Sequence, residues 1–492
     1  MAVLTVLQGN KRTEIPFESG SLLSDVLHAN GFEVEHPCGG RGVCGRCAVE
    51  IEGEISEMNA SEQKFGAHLA CQTVLKGDAT VTLPDSNALW QIETSGTTAV
   101  SLDGAMPGDY GAAVDIGTTT IAVKVYNLHT GECVGGSAMH NPQASVAADV
   151  MGRIDAALRG KLEFMSHQVR SAIADLLKNA CRDAKISTEK VTSLVITGNT
   201  TMLYLLTNRN PETLSHAPFE ADCLFGELLN QDGKLVYLPT CMNAFVGGDI
   251  TCAVLAADQY GKDETTVLMD IGTNGEIALW KDGTLYVTST AAGPAFEGVG
   301  ISCGCASING AIDRAAVQDG KIAVHTIGEA PAVGICGSGV FDVVACALQV
   351  GLIDETGAME DDDLPLDNGV CLLPKDVRAI QLAKAAIAAG LQTLMEEAHV
   401  TPEQVSTLYI AGGFGSHLNV ESGVRIGLIP EELAKKAKIL GNAALSGAAR
   451  ILLNSKDREQ LVKIAASSKH LNLGGNPKFN ANYVDSMFFP EE

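Results

Sequence analysis

The chain has 492 residues, with 59 Asp and Glu against 34 Lys and Arg, a formal charge of −25. That acidic surplus excludes a general nucleic-acid binder, which needs clustered cations to neutralise phosphates. With 46% hydrophobic residues, 19% charged residues and 52 glycines, the composition is that of a folded, turn-rich protein of about three units, at roughly 150 residues each.

No stretch approaches the roughly 18 apolar residues of a membrane span, and residues 1–17 lack a basic flank followed by a long apolar run, so a cytoplasmic protein is expected. Fourteen cysteines in such a chain point to metal ligands and buried thiols rather than to a disulfide framework.

The first segment alternates over Ala2 to Leu7, turns at Gly9-Asn10 and returns over Ile15 to Phe17. Apolar Leu22, Leu23, Val26 and Leu27 predict a helix closed by Gly31, and Ala48 to Ile51 and Ala79 to Leu83 predict two more strands. Four cysteines fall here, Cys38, Cys44, Cys47 and the solitary Cys71, with glycines packed among the first three. Glycine lets a loop wrap closely round an inorganic cluster and bring backbone N–H groups to sulfur. A zinc site would more often show two paired knuckles, and one short pair is present, so a [2Fe-2S] cluster is expected. His36 and His68 read as solvated or packing residues, because four cysteines complete the ligand set. With these motifs the segment resembles a β-grasp [2Fe-2S] ferredoxin domain over residues 1–85. Residues 86–109, rich in turn and small polar residues, read as a flexible linker.

Two later segments repeat one pattern. Ala113-Val114-Asp115-Ile116-Gly117-Thr118-Thr119-Thr120 and Leu268-Met269-Asp270-Ile271-Gly272-Thr273-Asn274-Gly275 each predict a strand, an Asp-Ile-Gly-Thr turn and a returning strand. Such repetition suggests two similar halves facing one another. The Gly and Thr of each turn can aim N–H and hydroxyl groups at a phosphate, and each Asp can hold Mg2+ directly or through water. Between and after them come Val195 to Thr201, a strand end that could line a cleft, and Phe245 to Thr251, which leads into a helix over Cys252 to Ala257. Gly334 to Gly339 fits a phosphate contact or an ordinary helix-starting turn equally well. Cys303 and Cys305 read as packing or loop residues, and Glu360 to Asp363 as a solvated loop. Ala383 to Glu397 predicts a core or interface helix, Leu408 to Gly415 a buried strand running into Gly412-Gly413, and Gly441 to Ala448 a helix start. The end of the chain has few periodic signals and reads as an extension, residues 471–492.

Taken in this order, the motifs resemble the acetate and sugar kinase, heat-shock protein 70 and actin superfamily. The resemblance implies an α/β two-lobed, ribonuclease H-like duplicated ATPase over 110–470, with one lobe over about 110–255 and the other over about 256–470. It implies ATP with Mg2+ in the cleft. Gly117, Thr118, Thr119, Gly272, Thr273, Asn274 and Gly275 would hold phosphates, Gly412 and Gly413 would support adenosine, and Asp115, Asp249 and Asp270 would position Mg2+ and the attacking water.

A ferredoxin joined to an ATP-clamping fold is needed where an electron must go to an acceptor of lower potential than its donor. The whole resembles the reductive activators of corrinoid proteins. That resemblance implies a cytoplasmic enzyme of oxygen-poor settings, passing one electron from its cluster to the Co(II) of a corrinoid protein in a methyltransferase system and regenerating Co(I). It implies an upstream low-potential electron donor, and a homodimer stays open. Because some 24 residues separate the two regions, it also implies the shorter form of the family, without the extra middle domain. Two other classes remain open at this point: an ATP-coupled electron donor to another low-potential enzyme, and a redox-sensing ATP-binding regulator.

Overall fold

The alternating patterns do become strands. The computed structural model describes residues 2–8, 11–30, 32, 34, 42, 47–83, 102–231 and 233–491. Its first part holds strands β1 (Ala2–Gln8) and β2 (Lys11–Phe17), helix α1 (Leu23–Ala29), β3 (Ala48–Ile55), helix α2 (Ala60–Phe65), β4 (His68–Leu69) and β5 (Leu75–Leu83). They form one mixed sheet in the order β2-β1-β5-β3-β4, with β1 and β5 parallel, the β-grasp plan expected from the sequence. Inward residues Leu75, Ala79, Val81 and Leu83 of β5 close on Leu23, Val26 and Leu27 of α1.

From Tyr110 the chain builds two lobes on one plan. The first contains β6 (Tyr110–Ile116), β7 (Thr120–Asn127), β8 (Cys133–His140), α3 (Val150–Ala156), α4 (Leu162–Asp183), β9 (Val191–Gly198), α5 (Thr200–Leu206), β10 (Glu227–Gln231), β11 (Lys234–Leu238) and α6 (Gly248–Ala256). The second contains β12 (Thr266–Ile271), β13 (Gly275–Lys281), β14 (Thr284–Thr290), β15 (Ala311–Gln318), β16 (Lys321–Thr326), β17 (Gly334–Ile335), α7 (Gly337–Gln349), β18 (Leu364–Pro365), β19 (Cys371–Leu372), α8 (Pro374–Glu397), β20 (Thr407–Ala411), α9 (Val420–Arg425), α10 (Glu431–Ala434), β21 (Ala437–Gly441), α11 (Ala443–Leu453), α12 (Ser455–Ala466), β22 (Ser468–His470) and α13 (Pro477–Asp485).

In the sheet orders β10-β11-β9-β6-β7-β8 and β21-β20-β12-β13-β14-β22 five strands correspond, two parallel strands beside an antiparallel meander, β6-β7-β8 in one and β12-β13-β14 in the other, while β10 and β22 are unmatched edge strands. Helices α6 and α11 lie between the sheets in one core with Ala113, Val195, Leu268 and Tyr409. Outer cores form against α4 on the first lobe and against α7 and α8 on the second.

Three expectations change. Residues 102–109, the last third of the expected linker, are tied down: Met106 is buried and its N–H donates to the Leu452 carbonyl at 2.8 Å. Helix α8 begins at Pro374 instead of near Ala383, since proline suits a first helical position and the Asp376 side chain accepts from the Leu373 N–H at 3.0 Å. The expected extension is packed: Lys384 of α8, buried in the core, donates to the Phe488 carbonyl and faces the Phe489 ring, itself buried.

The lobes meet where α6 and α11 cross. A Cβ on Gly447 would stand 2.0 Å from the Cys252 carbonyl oxygen, so the crossing requires glycine. Gly447→Ala should therefore destabilise the protein by about 1–3 kcal/mol, read as a lowered denaturant midpoint.

Candidate functional site

Strand parity aims the repeated aspartates. Ala112, Val114 and Ile116 face the outer core, so Asp115 between them points to the interlobe side with Ala113. Val267, Met269 and Ile271 likewise face outward from the cleft, and Asp270 points inward. Asp249 arrives from the first turn of α6. All three line an interlobe cleft of about 340 Å³.

The turns complete it. Gly117 N–H donates to the Thr120 carbonyl at 2.8 Å and Gly272 N–H to the Asn274 carbonyl at 2.9 Å, which exposes Thr118, Thr119, Thr273 and Asn274 to the cleft. Gly412 is left-handed at φ 93°, and a Cβ there would lie 2.6 Å from Asp270 Oδ1, whereas Gly413 faces open space. Every residue expected in the nucleotide site lines the cleft except Gly275. There a Cβ would meet the Ile387 and Thr290 side chains, so this glycine serves packing between β13 and α8. Gly334 to Gly339 runs into the start of α7, and its Gly337 and Ser338 line the cleft.

Several contributors were not assigned a role from the sequence. Asn199 and Asn442 each cap a helix with the amide oxygen, accepting from Met202 N–H and Leu445 N–H, and each uses its NH2 on the site: to Thr118 Oγ1 at 3.2 Å and to Asp115 Oδ2 at 2.9 Å. Glu276 stands directly opposite Asp270 in the β12-β13 ladder, a register visible in the hairpin pattern. Buried Arg153 donates to the Thr118 carbonyl at 2.6 Å and braces the first turn from behind. Glu297 accepts from both Thr119 Oγ1 and Thr273 Oγ1.

These carboxylates crowd one another. Burial raises Asp115 to about 6, with the Asn442 bond pulling back, and burial plus the Asp115 charge raises Asp270 to about 7. Burial and the charges of Asp115 and Asp270 lift Asp249 to about 8, and burial raises Glu276 and Glu297 too. Burial lowers Arg153 to about 9. Among the described residues no group of three or more acidic, His or Cys side chains is assembled as a metal site. A divalent ion would therefore need phosphate oxygens as further ligands beside these carboxylates.

In the ferredoxin domain Cys38, Cys44 and His36 lie outside the described residues. Cys47 and Cys71 are both buried with their sulfurs 3.2 Å apart, and the Cys47 thiol against Cys71 pulls the latter down to about 6. Two adjacent buried sulfurs, with Cys71 favouring the thiolate, fit one side of a [2Fe-2S] cluster. Glu62 holds this segment, accepting from Leu69 N–H and Thr73 Oγ1, and His68 faces Glu62 at 3.4 Å.

Comparison with known proteins agrees with this division. A model of the 2Fe-2S iron-sulfur cluster binding domain matches residues 6–76, one of the RACo middle region matches 110–262, and one of the C-terminal domain of RACo, the ASKHA domain, matches 264–492. The expectation of a form lacking the middle region is overturned. The sequence assigns about 110–255 to the first ATPase lobe, which leaves no chain between the linker and the ATPase for a middle region, yet the segment that folds as that lobe falls within the one matched. The chain is 28% identical to the corrinoid activation enzyme RamQ of Eubacterium limosum, over 97% of each chain. It is also 28% identical to a [Co(II) methylated amine-specific corrinoid protein] reductase of Methanosarcina barkeri, over 77% of each. A solved reductive activator for corrinoid, iron-sulfur protein superposes over 99% of this chain and 98% of its own, with a TM-score of 0.72 at 25% identity. Among the described residues no helix is long and apolar enough to cross a membrane.

The raised carboxylates set a pH dependence. Unfolded carboxylates release protons near about pH 4, whereas Asp115, Asp270 and Asp249 hold theirs to about 6, 7 and 8 in the fold. The native state binds more protons in that window, so stability falls as pH rises through it. Without nucleotide the melting temperature should decline between about pH 5 and pH 8, and Asp249→Asn should flatten the decline. A wild-type melting temperature that rises across this window would contradict the assignment.

Proposed function

The chain belongs to the reductive activators of corrinoid proteins, and we propose that ATP held between its lobes helps one electron pass from its iron-sulfur domain to the Co(II) of a separate corrinoid protein, regenerating Co(I) for methyl transfer. The observation that carries this reading is one chain holding both the Cys47 and Cys71 sulfur pair and a cleft framed by two Asp-Ile-Gly-Thr turns. A [2Fe-2S] cluster on Cys38, Cys44, Cys47 and Cys71 would supply single-electron transfer at low potential.

The geometry of the cleft supports the remaining roles. Thr118, Thr119, Thr273 and Asn274 hold phosphates, and Gly413 leaves open space for adenosine beside Gly412. Asp115, Asp249 and Asp270 would hold Mg2+ and orient the water that attacks the terminal phosphate, yielding ADP and phosphate. For a one-electron step each ~59 mV uphill costs about tenfold in equilibrium. Lobe closure on ATP offsets that cost by favouring the complex in which cobalt gives up an axial ligand and becomes easier to reduce. An upstream low-potential donor reloads the domain, and the partner is the corrinoid protein of a methyltransferase system.

Reduction of a Co(II)-corrinoid partner, followed by visible absorbance, should require Mg2+-ATP; equal rates with and without it would refute the coupling. Asp270→Asn should lower the ATP-dependent rate by about a hundredfold or more while keeping the visible spectrum of the iron-sulfur domain. Loss of both signals would mark a folding defect instead.

A further inference from the structure

The two phosphate turns are already joined, by a carboxylate. Glu297 ends a short 3-10 turn, Pro294–Glu297, on the second lobe. Two backbone bonds close that turn, Gly298 N–H to Ala295 O at 3.0 Å and Val299 N–H to Pro294 O at 3.2 Å. Gly298 is left-handed at φ 73°, and a Cβ there would stand 2.7 Å from the Cys305 carbonyl oxygen, so the turn is fixed against its neighbour. From this base Glu297 Oε2 accepts from Thr119 Oγ1 of the first lobe at 2.7 Å, and Oε1 accepts from Thr273 Oγ1 of its own lobe at 2.8 Å. The two hydroxyl oxygens are 3.2 Å apart.

Each threonine hydroxyl carries one hydrogen. A hydroxyl that gives it to Glu297 has none left for a phosphate oxygen, and an ionised carboxylate at that spot repels a terminal phosphate. The bridge and a phosphate held by both threonines therefore exclude one another.

We propose that Glu297 is an internal phosphate surrogate, satisfying Thr119 and Thr273 across the cleft while nucleotide is absent and giving way to the distal phosphates of ATP when it binds. The proposal rests on the reading that these turns hold nucleotide phosphate, and it adds a positioning residue that competes with the ligand for two named hydrogens. A nucleoside monophosphate lacks the distal phosphates that would replace the carboxylate at both hydroxyls.

Calorimetric titration of the full-length, cluster-loaded protein with Mg2+-ATP and with Mg2+-AMP tests this. Glu297→Gln and Glu297→Ala should each bind ATP about tenfold more tightly than wild type and AMP with unchanged affinity. ATP affinity that stays the same or falls overturns the proposal, as does a parallel gain for ATP and AMP, which marks a general change in the cleft. If neither variant folds, hydrogen exchange on the wild type decides. Mg2+-ATP should speed exchange at Gly298 and Val299, whose turn loses its side-chain anchor, while slowing it at residues 117–120; slowing at both overturns the proposal. Wild type that binds no ATP refutes the nucleotide reading and the surrogate with it, whereas normal wild-type binding without the variant effect removes the surrogate alone.

Discussion

Like charges gathered in a poorly solvated cleft cannot all ionise without a compensating cation, and this constraint governs the site. Asp115, Asp249, Asp270, Glu276 and Glu297 line the cleft, and among the described residues no Lys or Arg does. The buried guanidinium of Arg153 donates to the carbonyls of Thr118 and Ala147 and to the Gln143 side chain, so it stiffens the first turn while its charge draws Glu297 toward ionisation. The nucleotide-free protein balances the deficit with retained protons and with hydroxyl and amide hydrogen bonds. A polyphosphate entering alone would add negative charge to negative charge, while one carrying a divalent ion delivers the missing cation. The charge count of the cleft thus favours the metal complex of a nucleotide over the free nucleotide.

The duplicated halves share a plan and differ where it matters. In the first turn Asp115 stands opposite Ala122, while in the second Asp270 stands opposite Glu276. The first aspartate has no acidic cross-strand neighbour and receives the Asn442 amide; the second faces another carboxylate and receives no such bond among those described. Burial and the Asp115 charge raise it with no such bond to pull it back, to about 7 against about 6 for Asp115. Two hairpins of one plan thus carry two unequal carboxylates, one readier to ionise than the other.

What could be read from the sequence was local. Tight turns need glycine and small polar residues in adjacent positions, and a turn repeated in one chain stands out, so the Asp-Ile-Gly-Thr pair and the glycines at 412 and 413 were legible. Glu297 was not, because it sits in an unremarkable Ala-Phe-Glu-Gly run and its partner Thr119 lies 178 residues away. Arg153 was hidden for the same reason, since a lone arginine in a helix gives no sign that its charge is buried. The start of α8 and the packed C-terminal segment escaped because their signals, a proline at a first helical turn and two phenylalanines near the end, become informative once their partners are known. The middle region was missed through the assignment of one set of residues to a single role.

The energetic reach of such a cleft can be bounded. A ligand moves a two-state equilibrium only by its differential affinity, and shifting one from 1:99 to 99:1 takes about 5.5 kcal/mol, equivalent to roughly 240 mV for a single electron. Contacts that already join the lobes without nucleotide reduce that differential, since they stabilise a part-closed state that ATP would otherwise have to create. Asn442 to Asp115 is one such contact, and the carboxylate shared by Thr119 and Thr273 is another. The first leaves the threonine hydroxyls free and can persist beneath a bound phosphate; the second cannot. On the proposed reading, exchange of one anion for another at the same two hydroxyls would give the cleft two mutually exclusive arrangements, the property that would let binding energy at one end of a protein be spent on electron transfer at the other.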